Sequence, residues 1–68
     1  MRDVEIRGDS IRLGQLLKLA GIAESGAAAK AMLAEGRVTV NGEPEERRGR
    51  QIGVGDEIVA DGEALRVV

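Results

Sequence analysis

The sequence predicts an α+β domain of two short helices and about four to five short strands, mostly antiparallel. Two observations predict the strands. Asn41-Gly42 and Asp61-Gly62 are strong tight-hairpin signals, and each sits beside alternating apolar residues: Val38 and Val40, then Ile58 and Ala60, then Leu65 and Val67. A third observation predicts the helices. Leu13, Leu16, Leu17 and Ala20 fall at i, i+3, i+4 and i+7, and Ser25 to Gly36 carries its own start and stop.

In chain order, Val4 and Ile6 alternate with charged neighbours as a half-buried strand. Gly8-Asp9 reads as a turn, after which Ser10-Ile11-Arg12 is expected to run back along that strand. The first helix follows and stops at Gly21, with Ile22 expected to return to the core. The second helix is expected over about Gly26 to Glu35. Ser25 is its N-cap, because the hydroxyl can accept from a free first-turn N–H. Ala29, Met32 and Leu33 form its apolar face. Arg37 to Val40 reads as a strand, and Pro44 implies an edge position because it has no N–H for a ladder. Glu46-Arg47-Arg48-Gly49-Arg50 reads as a charged loop. Gly53 to Asp56 reads as a turn into a final hairpin.

Composition limits the chemistry. The 68 residues include no Phe, Trp, Tyr, Cys or His. Thiol nucleophiles, imidazole bases, disulfides and soft metal sites are absent together. The hydroxyls are Ser10, Ser25 and Thr39, with carboxylates as their only available bases. Glu45-Glu46 reads as an adjacent pair in a solvated loop, with nothing to raise either pKa. Gly53-Val54-Gly55 leads into a strand, so it is not a phosphate-cradling loop. Enzymatic activity is not expected. The charged N-terminus is not expected to act as a signal peptide, and no apolar run is long enough for a membrane helix.

The net charge of −2 is unevenly spread. Residues 25–50 carry five cations against four carboxylates, while residues 51–68 carry Arg66 against four. A local basic patch on an acidic chain is thus possible. Lys30, Arg37, Arg47, Arg48 and Arg50 are the candidate members, and arginine suits phosphate through its planar fork. The residues alone leave open a solvated loop balanced by Glu43, Glu45 and Glu46. Without aromatics, contact with nucleic acid must rest on phosphates, shape or arginine planes.

The order of residues resembles the S-four RNA-binding domain. The matching marks are Arg12-Leu13, Gly21, Ser25, Ala29-Lys30, Gly36 through Gly42, and Val54 through Ile58. They span about residues 11–60, and the pattern is most similar to small stand-alone bacterial members. The resemblance implies a helix pair on a small twisted sheet, and a single domain over 1–68. It implies docking of structured RNA, ribosomal or transfer, across helix two, the next strand and the arginine loop. Lys30, Arg37, Arg47, Arg48 and Arg50 are the implied contacts, with Lys18 and then Arg12 behind them. The implied setting is cytoplasmic and ribosome-associated, for a monomer with no cofactor, metal or membrane.

Two departures bear on affinity. Gly26 and Ala34 stand where many family members carry cations, so weak, salt-sensitive binding is expected. Ser25 and the small Gly26 can instead let an RNA backbone approach the helix N-terminus, whose free N–H groups favour phosphate. A competing reading is a degenerate S-four domain for protein–protein contact through the acidic C-terminal hairpin. A β-grasp sulfur carrier is not expected, because such proteins act through a C-terminal Gly-Gly and the sequence here reads Arg66-Val67-Val68.

Overall fold

A computed structural model describes all 68 residues. Seven short strands and two helices run in the order β1 (Arg2–Val4), β2 (Ser10–Arg12), α1 (Leu13–Leu19), α2 (Gly26–Ala34), β3 (Val38–Val40), β4 (Glu43–Pro44), β5 (Gln51–Gly53), β6 (Glu57–Ala60) and β7 (Glu63–Val67). Five strands form the main sheet in the order β1-β7-β6-β3-β4, antiparallel except for the β1–β7 pair, and β2 and β5 form a separate antiparallel ribbon.

Both hairpins close as their Asn-Gly and Asp-Gly signals require. Val40 pairs with Glu43 and Ala60 with Glu63, leaving two-residue loops. Asn41 and Asp61 each take φ 51°, followed by Gly42 at 85° and Gly62 at 79°. Positive φ at both positions is the turn whose twist matches the flanking strands. Pro44 lies on the edge strand β4, as its missing N–H demands.

Each helix ends in the same way. The N–H groups of Gly21 and Ile22 donate to the Lys18 and Leu17 carbonyls, and those of Gly36 and Arg37 to the Leu33 and Met32 carbonyls. These paired bonds satisfy carbonyls that the helix itself leaves free. The starts differ. The Ser25 hydroxyl accepts from the Ala28 N–H at 3.1 Å. Ser25→Ala is therefore expected to lower stability by about 1 kcal/mol, read as a lower urea midpoint at unchanged slope. Helix α1 has no side-chain cap. Its Leu13 and Gly14 N–H groups donate instead to the carbonyls of Arg50 (2.8 Å) and Arg48 (3.0 Å).

Sixteen buried apolar residues form one core between the helices and the inner sheet face. Leu13, Leu16 and Leu17 of α1 and Ala29, Met32 and Leu33 of α2 meet Val38, Val40, Ile58, Leu65 and Val67 of the sheet. Leu33 and Ile58 are fully buried, so either change to alanine removes packed volume and leaves a cavity.

Two expectations are corrected. Ser10-Ile11-Arg12 does not run back along the first strand. It pairs with β5, setting Ile11 against the buried Ile52, while β1 pairs in parallel with β7 and joins Val4 to Val67. The first strand ends at Val4, and Ile6 packs on the core from outside it. Glu45 is not solvated either. It is only 7% exposed and is the one buried charged residue.

Candidate RNA interface

The β2–β5 ribbon carries the 46–50 loop to the N-terminus of α1. Arg12 pairs with Gln51, and the next links are Leu13 to Arg50 and Gly14 to Arg48. A Cβ added at Gly14 would lie 3.5 Å from the Arg48 Cβ, so loop and helix are in contact. Between them and α2 opens a cleft of about 340 Å³, lined by Arg12, Gln15, Lys18, Gly26, Ala29 and Arg48 with two further glycines. Arg12 is the N-cap of α1, and Gln15 and Lys18 follow at three-residue steps on its exposed side, away from the core.

Glu45 organises the loop. One carboxylate oxygen accepts from the Glu46 and Arg47 backbone N–H groups (3.0 and 3.1 Å) and from Arg47 Nε (3.2 Å). The other accepts from the guanidinium nitrogens of Arg50 at 2.9 Å and Arg47 at 3.3 Å. Donation from Arg47, then from Arg50, holds the carboxyl at about 2, against an ordinary value of 4.5. Charge-assisted bonds favour the ionised form, and here they outweigh the cost of burial.

The ten cations divide into two groups. Arg2 pairs with Glu63, Arg37 with Asp61 and Glu35, Arg47 and Arg50 with Glu45, and Arg66 with Glu57. Arg37 grips Asp61 with both arms of its fork, Nε to Oδ1 at 2.6 Å, and this pairing drives its pKa further up. Arg7, Arg12, Lys18, Lys30 and Arg48 have no carboxylate partner. Three of these five line the cleft.

The candidate residues therefore fall in different places. Arg12, Lys18, Gly26 and Arg48 come together at the cleft. Lys30 is exposed one turn along α2 from Gly26, outside the lining. Ser25 precedes the cleft and its hydroxyl oxygen serves the helix cap. Arg37, Arg47 and Arg50 are held by carboxylates. A Cβ at Gly26 would meet nothing within 4 Å, and its backbone does not need glycine. Glycine there keeps the cleft wall low.

Asn41 joins two of the motif's marks. Its side-chain N–H donates to Asp56 (3.0 Å), and its oxygen accepts from the Glu57 N–H (2.9 Å). Asp56 also accepts from the Gly53 N–H at 2.8 Å, the main reason its carboxyl lies below the usual range. The Asn-Gly turn and the Gly-Asp strand entry are thus one hydrogen-bonded unit.

Residues 4–68 match the family described as S4 domain. The chain belongs to the S4 domain family. Over 59 residues it is 48% identical to the probable ribosome maturation protein RlbA of Bacillus subtilis (strain 168), covering 87% of this chain and 83% of that protein. It is 43% identical over 58 residues to the putative RNA-binding protein YbcJ of Escherichia coli (strain K12), covering 85% and 83%. The solution structure of YbcJ, described as revealing an AlfaL motif involved in RNA-binding, superposes with a TM-score of 0.75 at 38% identity over 100% of this chain and 87% of that one. The crystal structure of the 30S ribosomal protein S4e from Thermoplasma acidophilum gives 0.69 at 29% identity, over 91% of this chain and 33% of that one.

Two residues of this S4 domain had no signal in the sequence reading. Gln15 is uncharged, and Glu45 looks like one more surface acid beside Glu43 and Glu46. Only the burial of Glu45 and its five donors separate it from them.

Proposed function

We propose that the chain is a non-catalytic, cytoplasmic, monomeric module that docks structured RNA, ribosomal or transfer, in ribosome maturation or translation. The observation that carries this reading is the convergence of Arg12, Lys18 and Arg48, all without carboxylate partners, on one cleft beside the start of α2. Free cations on rigid elements are what phosphates require, since a cation already paired with a carboxylate must lose that partner first. The names of RlbA and YbcJ support the same class of partner. Lys30 extends the surface along α2. Arg37, Arg47 and Arg50 support it from within, by holding the β6–β7 turn and the loop.

The acidic-hairpin alternative has less support. Asp61, Glu57 and Glu63 each pair with an arginine, and Asp56 is tied to Gly53 and Asn41. No run of unpaired carboxylates remains there to attract a basic partner.

Titration of labelled ribosomal RNA fragments and transfer RNA, followed by fluorescence anisotropy, tests the reading. Three phosphate contacts give a log–log salt slope of about −2.1 to −2.7, or roughly twenty- to fortyfold weaker binding between 50 and 200 mM salt. Arg48→Ala is expected to reduce that slope by about one contact, and Arg37→Ala to leave it unchanged. Absence of binding to either RNA at low salt would reject the proposal.

A further inference from the structure

Arg7, like Lys30, has no carboxylate partner and lies outside the cleft described above. It borders a second hollow of about 640 Å³ on the other side of α1, lined by Glu5, Arg7, Ser10, Ile11, Gln15, Lys18 and Leu19. Gln15 and Lys18 line both hollows, so the two are continuous across the exposed face of α1. The second has something the first lacks, an apolar floor. Leu19 is 55% exposed although it is a large aliphatic residue on a helix, and Ile11 beside it is half-buried against the core. Glu5 is the only carboxylate at this rim, set against Arg7 and Lys18, with which it makes no ion pair.

We propose that the RNA track continues over α1 into this second cleft, where an unpaired nucleotide flanking the structured RNA places its phosphate on Arg7 and its base against Leu19 and Ile11. The proposal rests on the reading of the first cleft as an RNA site. Continuity through Lys18 supplies the path, and the cation beside an aliphatic surface supplies the two contacts a splayed-out nucleotide makes. In a chain with no aromatic ring, a base can only pack on aliphatic or guanidinium surface. A paired stem presents its bases to each other and has no use for such a floor. An unstacked flank does.

The test uses two labelled probes, an RNA hairpin and the same hairpin with a single-stranded uridine tail at one end or the other. The wild-type protein is expected to bind one tailed probe at least about fivefold more tightly at 0.1 M salt, with counterion release at one phosphate supplying about fivefold and the apolar contact adding to it. Arg7→Gln is expected to remove the phosphate share of that gain, about fivefold, and to reduce the salt slope on the tailed probe by about one contact. Leu19→Gln is expected to reduce the gain with the slope unchanged, since it removes apolar contact and no charge. Both positions are exposed, so neither variant threatens the fold. Both should bind the tail-less hairpin as the wild type does. No gain from either tail, variants that bind the tailed probe as wild type does, or equal losses on both probes would each overturn the second cleft. Failure of the wild type to bind either probe would instead reject the first.

Discussion

Reversing the charge of Arg12, Lys18 and Arg48 together, each to glutamate, is expected to abolish measurable RNA binding. Counterion release alone makes each phosphate contact worth roughly five- to eightfold at 0.1 M salt, so losing three costs about a hundred- to five-hundredfold. Reversal goes further than removal, because each glutamate repels the phosphate its predecessor attracted. Each substitution changes the charge by two, so the net charge falls from −2 to −8. That global change also weakens binding, and a control separates the two effects. Arg66 is exposed on the outer sheet face, beside the buried Leu65 and Val67. Arg66→Glu changes the charge there, at a position that lines neither cleft. It is expected to bind within about twofold of wild type. The three cleft side chains make no intramolecular ion pairs, so circular dichroism and the thermal midpoint should change little. Anisotropy with ribosomal RNA fragments checks the binding. A triple variant that retained wild-type affinity would place the RNA elsewhere.

The sequence reading did not separate the free cations from the paired ones. It put Lys30, Arg37, Arg47, Arg48 and Arg50 ahead of Lys18 and Arg12, on their clustering and on family position, and three of those five are held by carboxylates. What it could not see is which carboxylates reach which cations. Arg37 meets Asp61 across 24 positions, and Arg50 meets Glu45 only because the loop turns back on a buried acid. Local marks were legible because local geometry decides them. Ser25 caps its helix, Asn41-Gly42 and Asp61-Gly62 turn their hairpins, and Leu13, Leu16 and Leu17 of α1 face the core. The parallel β1–β7 pair and the β2–β5 ribbon were not legible. Each strand is three to five residues long, and several partners suit so short a pattern. The α1 N-terminus was hidden for a related reason. Its cap is a pair of backbone carbonyls from the far loop, and carbonyls leave no trace in residue type.

Glu45→Gln is expected to weaken RNA binding, the opposite of what charge alone predicts. Removing a negative charge from a chain that binds a polyanion ordinarily tightens the complex. Here the carboxylate holds the turn that sends Arg48 into the cleft and aims the Arg48 and Arg50 carbonyls at α1. An amide has one acceptor oxygen and would direct a second N–H group at donors, so that turn loosens. The loss should approach that of Arg48→Ala, roughly five- to eightfold at 0.1 M salt. In the double variant the two effects should not add, because Glu45 acts through Arg48. Tighter binding, with Arg47 and Arg50 released to reach phosphates, would show that Glu45 restrains the site rather than building it. Stability supplies a second readout. The Glu45 carboxyl is depressed in the folded state, from 4.5 to about 2, so its stabilisation is present above pH 4.5 and is lost as pH falls toward 2. Asp56, also depressed, contributes in the same direction. The wild-type thermal midpoint should thus hold from neutral pH to about 5 and decline below it. Glu45→Gln should start lower at neutral pH and decline less steeply in acid, with the remaining slope coming from Asp56. A variant that matched the wild-type acid profile while binding RNA normally would leave the buried carboxylate without a part in either the fold or the site.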